Sequence, residues 1–262
     1  MTLMRQAGSQ LVSFNELKGF ELPKETESYK PVSHHDLVYN ITRVIEHKSR
    51  ALMDYKLVNS QYAVNKGTSK DADGNIEYEG PAGKFFGVLT YEKEGTESVA
   101  RRSIGIRNSY DKSMSVGWCF GQSVIVCDNL MFNGEIKSLK KHTKNVFETL
   151  NNTLLTDLAD NSDEMWTTLE DDIDSMIGLE ISNNRAYQLL GEMWGNNIIG
   201  DRQLSEAKRH WLKPPQQEFE ARDMWSLYNS ANHALKSTKA DKIMNKHILL
   251  HGRMMDEVRA VA

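Results

Sequence analysis

The sequence predicts an α+β fold: an N-terminal helix, an antiparallel β-meander with a long hairpin, then a run of C-terminal helices packed on the sheet. Three observations carry this. Between about residues 53 and 132 the apolar residues alternate or fall in short β-rich runs. From His142 onward the apolar period becomes 3.6. Helices and strands never alternate, which argues against a doubly wound parallel sheet.

Residues 1–32 have no clear period and contain Gly8, Gly19 and Pro23, so they read as a mobile or draped arm. Ser33 and Asp36, after Pro31, form a capping-box-like pair. Leu37, Val38, Ile41, Val44 and Ile45 then recur at helical spacing and predict a helix over about 35–49. Strands are predicted at 53–65 and 84–93, around the turn-rich KGTSKDADGN with Asp73-Gly74 at its tip. Glu94-Gly95 turns the chain into a third strand, RRSIGIRN, which ends in a polar turn from Asn108 to Lys112. The apolar stretch MSVGWCFGQSVIVCDNLMF reads as one bent strand or two short ones in the sheet centre.

Helices follow. The first carries Val146, Leu150, Leu154 and Leu158, with Thr143 as its cap. Others carry Met165 to Met176, Ala186 to Trp194 and, after the Pro214-Pro215 break, Met224 to Leu235. The last spans about 242–258. Residues 33–150 are thus expected to form the core domain. The helices of 151–262, with Trp166, Trp194, Trp211 and Trp225 on narrow stripes, are expected to pack on it.

Composition narrows the function classes. The 262 residues carry 32 Lys+Arg against 36 Asp+Glu, with 39% hydrophobic residues, which is globular rather than disordered. Two cysteines, Cys119 and Cys127, make no disulfide scaffold. The start MTLMRQAGSQ does not read as a secretory signal and no apolar run spans a bilayer, so a soluble protein of a reducing compartment is expected.

Charge is segregated. Val99 to Phe147 holds eight basic residues against three acids, a balance of +5. Glu148 to Glu180 holds ten acids and no Lys or Arg. Such a pattern points to an anion-binding face beside a solvated or regulatory one.

Catalytic patterns are missing: no phosphate-cradling glycine loop, nucleophile elbow or zinc-protease helix occurs. His34-His35-Asp36 sits at a helix start and lacks a second cluster to complete a metal site. Asp71, Asp73 and Asn75 imitate a calcium loop but Ile76 stands where glycine is needed, so a hairpin turn is expected. The run Glu170-Asp171-Asp172-Ile173-Asp174 reads as a solvated helix face. Cys127, between apolar neighbours, reads as a buried strand residue. No cofactor, metal or catalytic residue is assigned.

The stretch 101–144 combines cations with Asn108, Tyr110, Trp118 and Phe132 on strands and turns. Nucleic-acid binders need cations for phosphates and flat side chains for bases. Trp118 and Phe132 either serve that purpose or fill the core. The expected nucleic-acid-binding residues are Arg101, Arg102, Arg107, Asn108, Tyr110, Lys112, Lys137, Lys140, Lys141 and Lys144. The last four cross a strand-to-helix junction, where helix amides would add to an anion site.

The strings Gly105-Ile106-Arg107-Asn108-Ser109, Val126-Cys127-Asp128-Asn129-Leu130 and Gly134, with Asp111 and the KHTKNV run, resemble a phage/plasmid-like family of unknown function. The resemblance covers about 33–150 and loosely includes Trp225 to Lys236. It implies a mobile-element origin, hence a cytoplasmic protein of a bacterial host, and no activity. The element order also resembles that of single-strand annealing proteins of the Erf, RecT and Red-beta type, at the level of topology alone. That implies an oligomer on single-stranded DNA.

The sequence therefore predicts a non-enzymatic, homo-oligomeric nucleic-acid-binding protein, annealing-like or DNA-protecting. A protein-binding inhibitor of a host defence system, with the acidic 148–180 segment as mimic, is the alternative. An enzyme with an unrecognised site is the second alternative.

Overall fold

Asp71 organises the turn between the two longest strands, β2 (Tyr55–Lys70) and β3 (Ile76–Lys93). Its carboxylate accepts from the Asp73 and Asn75 amides at 2.9 and 2.8 Å and from Asn75 Nδ2 at 3.0 Å. Gly74 follows at φ 86°, where a side chain would be strained. The three polar residues thus build a hairpin turn, as expected. Pairing continues through Gly67↔Gly80, Thr68↔Glu79 and Ser69↔Tyr78, so both strands outrun their sequence-read limits. Ladder hydrogen bonds use the backbone, so polar side chains do not end a strand.

The computed structural model describes residues 9–27, 29–48, 52–95, 99–125, 129–132, 137–138, 146–239 and 241–261. The meander continues into β4 (Ala100–Ser109) and β5 (Gly117–Val124). The apolar stretch resolves into two strands, because β6 (Leu130–Phe132) folds back on the end of β5. The two-residue β7 (Lys137–Ser138) pairs with the start of β5. Cys127 lies outside the described residues.

The sheet is antiparallel and seven-stranded; its other edge is β1 (Gln10–Val12), in register with Tyr62 to Val64 of β2. Part of the expected arm is therefore ordered. Ser13 then caps the short helix α1 (Phe14–Leu17) in a capping box with Glu16. Three strand residues and four helical ones are too few to display a period.

Helix α2 (His34–Lys48) begins as the capping pattern predicts: the Asp36 amide donates to Ser33 Oγ at 3.3 Å. Leu37, Val38, Ile41 and Ile45 are buried. The C-terminal helices are α3 (Val146–Asp160), α4 (Ser162–Met176), α5 (Asn183–Gly195), α6 (Asp201–Leu212), α7 (Met224–Leu235) and α8 (Ile243–Val261). The sequence reading omits α6. Its buried residues are Ala207, His210 and Trp211, and a histidine in the stripe obscures the apolar period.

One apolar cluster joins Phe85, Leu89, Ile104 and Ile106 of the sheet to Trp166, Trp211, Trp225 and Tyr228 of the helices. The helices pack on the sheet, as predicted. Trp194 is the departure: it is half-exposed and its indole donates to Asp201. A smaller cluster on the opposite sheet face joins Phe86, Val88, Cys119 and Phe132 to Ile243 and Met244 of α8. Both faces of the sheet centre are thus covered. At one point two strands nearly touch: a Cβ on Gly83 would stand 2.2 Å from Gly67 Cα. Among the described residues no helix is long and apolar enough to cross a membrane.

Candidate nucleic-acid interface

Strand β4 carries four of the sequence-predicted site residues, and strand alternation divides them. Arg102 and Asn108 point to one face, Arg101 and Arg107 to the other. Arg101 and Arg107 do share a side, but six residues of strand hold them about 20 Å apart.

At the near end, Arg101 pairs with Glu92 at 3.2 Å. Arg102 is largely buried, paired with Glu170 at 3.3 Å and Asp163 at 3.6 Å. Its guanidinium also lies over the Tyr55 and Trp166 rings, at 4.7 and 5.1 Å. Tyr91, Arg102 and Gln122 stand in register across three strands beneath α4. A cavity of about 370 Å³ opens there, lined also by Arg101, Glu170 and Asp174. Acids and bases balance in that lining, so it offers no net attraction to a polyanion.

Two predicted contacts lie inside the protein. Asn108 and Tyr110 are both 0% exposed. Asn108 Nδ2 donates to Val32 O at 2.7 Å and to His34 Nδ1 at 2.9 Å, and its Oδ1 accepts from the Ser109 amide at 2.9 Å. The Tyr110 hydroxyl accepts from the His34 amide at 3.0 Å, and burial pushes its pKa up to about 12. The expectation that these two side chains reach a nucleic acid is corrected: their polar atoms tie β4 to the start of α2. Trp118 and Phe132 are likewise fully buried, so the core reading holds for them.

His34 is part of the same buried centre. Its Nε2 donates to Ala82 O at 2.9 Å, which leaves Nδ1 free to accept from Asn108. The acidic run is also partly engaged: beyond Glu170, Asp172 lies 2.9 Å from His251 Nε2.

At the far end of β4 the charges differ. Arg107 Nη2 donates to Ser115 Oγ at 3.2 Å and Nη1 to Asn245 Oδ1 of α8 at 3.4 Å. Lys246 follows Asn245 directly, and Lys242 stands just before α8, its carbonyl accepting from the Lys246 amide at 3.0 Å. Burial lowers the Lys246 pKa, and the Lys242 charge lowers it further. Neither lysine forms an ion pair with a described residue. Lys84 stands nearby, 3.9 Å from Asp111 and 3.8 Å from Asp241. Lys112, at φ 61°, pairs with Glu77 at 2.6 Å and lies over the Tyr29 ring. Lys137 begins β7 opposite Trp118, next to the Arg107↔Gly117 pair. Lys140, Lys141 and Lys144 lie outside the described residues.

The structure therefore unites Arg107 with lysines that sequence reasoning missed: Lys84, Lys242 and Lys246. Lys242 stands just before α8 and Lys246 in its first turn, a four-residue spacing visible in the sequence. Their placement over Arg107 has no local signal.

Fold and surface together define an α+β protein with a cationic sheet end. Comparisons with family models, with curated proteins and with solved structures find no match.

Proposed function

We propose that this chain is a non-enzymatic nucleic-acid-binding protein of a phage or other mobile element. One observation carries the reading. The Lys242 charge bears on Lys246 beside the Asn245 that Arg107 contacts, and neither lysine has an ion pair among the described residues, although Asp241 adjoins Lys242. Phosphate oxygens would relieve that repulsion and release counterions. Phosphate contacts belong to Arg107, Lys242 and Lys246, with Lys112 and Lys84 at the margin. The resemblance to mobile-element proteins supports the setting. The annealing-type element order supports single-stranded DNA as the ligand and self-assembly as its companion. Exposed Met53, just before β2, and exposed Leu57 and Val58 within it fit a contact between copies.

The test is fluorescence anisotropy with single- and double-stranded oligonucleotides over a salt series. Log affinity should fall linearly with log salt, and the single strand should bind more tightly. Changing Lys242 and Lys246 to Glu should weaken binding to all sequences. It should also flatten the salt slope, by roughly 0.7 per lost phosphate contact on a single strand. A parent chain that fails to bind at low salt, or a double variant that binds as the parent does, removes the proposal. Capture of a host defence protein through the exposed acids of α4 would then be the leading reading.

A further inference from the structure

Glu206 and His210 lie one turn apart on α6, and His233 projects toward them from α7. One donor atom from each falls within 4.8 Å of the others. Glu206 Oε1 is 3.1 Å from His210 Nε2 and 4.0 Å from His233 Nε2. Ligands at 2.0–2.2 Å around a tetrahedral zinc ion stand roughly 3.3 Å apart. One separation already has that value within a few tenths of an ångström. The His210 and His233 rings are stacked at 3.9 Å, so the other closes when His233 turns out of that stack to aim its Nε2 at the ion.

The donor types suit a metal. Two imidazoles and a carboxylate are a borderline-soft donor set with one position open, which matches zinc better than calcium or magnesium. Beside the histidines a cavity of about 10 Å³, room for one water, is lined by Asn129. The Asn129 Oδ1 is buried and has no partner among the described residues.

Arg209 now bridges the pair. Its Nη2 donates to Glu206 Oε1 at 2.5 Å and to His210 Nε2 at 2.9 Å. A guanidinium there shows that the donors attract a cation. The Arg209 side chain is 61% exposed and free to swing into water.

We propose that Glu206, His210 and His233 form a zinc-binding site, with Arg209 as a displaceable internal competitor. The site is independent of the nucleic-acid reading: it lies on the helical layer and uses none of the same residues.

The experiment is calorimetric titration of the chelator-stripped full chain with Zn²⁺, alongside Co²⁺ absorption. One equivalent should bind, and Co²⁺ should give the intense visible bands of four-coordination. His233→Gln and Glu206→Gln, at partly exposed positions, should each weaken binding by roughly a hundredfold while leaving the melting curve of the metal-free chain in place. Arg209→Ala should bind more tightly than the parent. His35→Gln should bind as the parent does. The proposal is overturned if neither the parent nor R209A takes up one equivalent. Zinc uptake that survives H233Q and E206Q unchanged also overturns it, as does R209A binding more weakly than the parent.

Discussion

Tyr110 lies flat against His34, with ring centroids 3.8 Å apart and planes within 2° of parallel. Phe85 stacks on the same imidazole at 4.8 Å. With Asn108 bonded to Nδ1 and Ala82 to Nε2, the histidine is satisfied on its edge and covered by aromatic rings. This buried polar centre joins α2, β3 and β4, and it explains the residue types in the RNSY segment without a ligand.

Asn108→Ala should therefore act on stability. It strips a donor from Val32 O and from His34 and an acceptor from the Ser109 amide, all away from water. The expected loss is about 3 kcal/mol in urea unfolding, against about 1 kcal/mol for Tyr110→Phe. The folded fraction of either variant should bind DNA as the parent does. An N108A chain as stable as the parent would sink this account of the centre.

Gly83→Ala should destabilise by about 2 kcal/mol or more, because the new methyl meets the Gly67 backbone rather than a yielding side chain. The β2–β3 hairpin must splay to admit it. Thermal melts of the two proteins would show the shift, and an unchanged Tm would mean that the strands are farther apart.

Glu257 connects α8 to α5. Arg185 grips it through Nε at 2.6 Å and Nη2 at 2.5 Å, and Arg253 adds a contact at 3.3 Å. The Arg185 hydrogen bonds hold its carboxyl below the ordinary 4.5. A depressed carboxyl pKa stabilises the fold fully above the ordinary value and loses that stabilisation as pH falls through the folded one. Glu257→Gln should thus cost about 1 kcal/mol at neutral pH, since Arg185 is 38% exposed and both arginines keep Glu192 as a partner. The gap between variant and parent should narrow in acid. A gap that stays constant with pH would show that the pair is not what matters.

Cys119 sits on β5 against Gly105, with its thiol pKa pushed up by burial. In a Cys127→Ser background it should resist a thiol reagent until denaturant opens the sheet. Fast stoichiometric labelling of the native chain would contradict the covered sheet face.

Much of the fold was legible because its signals are local. Ser33, Asp36 and the apolar positions from Leu37 to Ile45 announce α2 within a dozen residues. The alternation of Ile104 and Ile106 with Gly105 announces a strand. Helix α6 was not legible, since His210 occupies a buried position where an apolar residue would have completed the period. Strand β1 was not legible either, because its partners lie some fifty residues away in β2.

The candidate site divides in the same way. The sequence by itself determined the residue types, the parity of Arg101 and Arg107 on one strand side, and the segregation of charge along the chain. Only the tertiary structure decided which cations keep their charge unopposed. Arg101 and Arg102 meet Glu92 and Glu170 at one end of β4. Arg107 meets Asn245 of α8 at the other, beside Lys242 and Lys246, which form no ion pair among the described residues. Side-chain period is a property of neighbouring residues, whereas an ion pair depends on how elements distant in sequence are packed, and 138 positions separate Arg107 from Asn245.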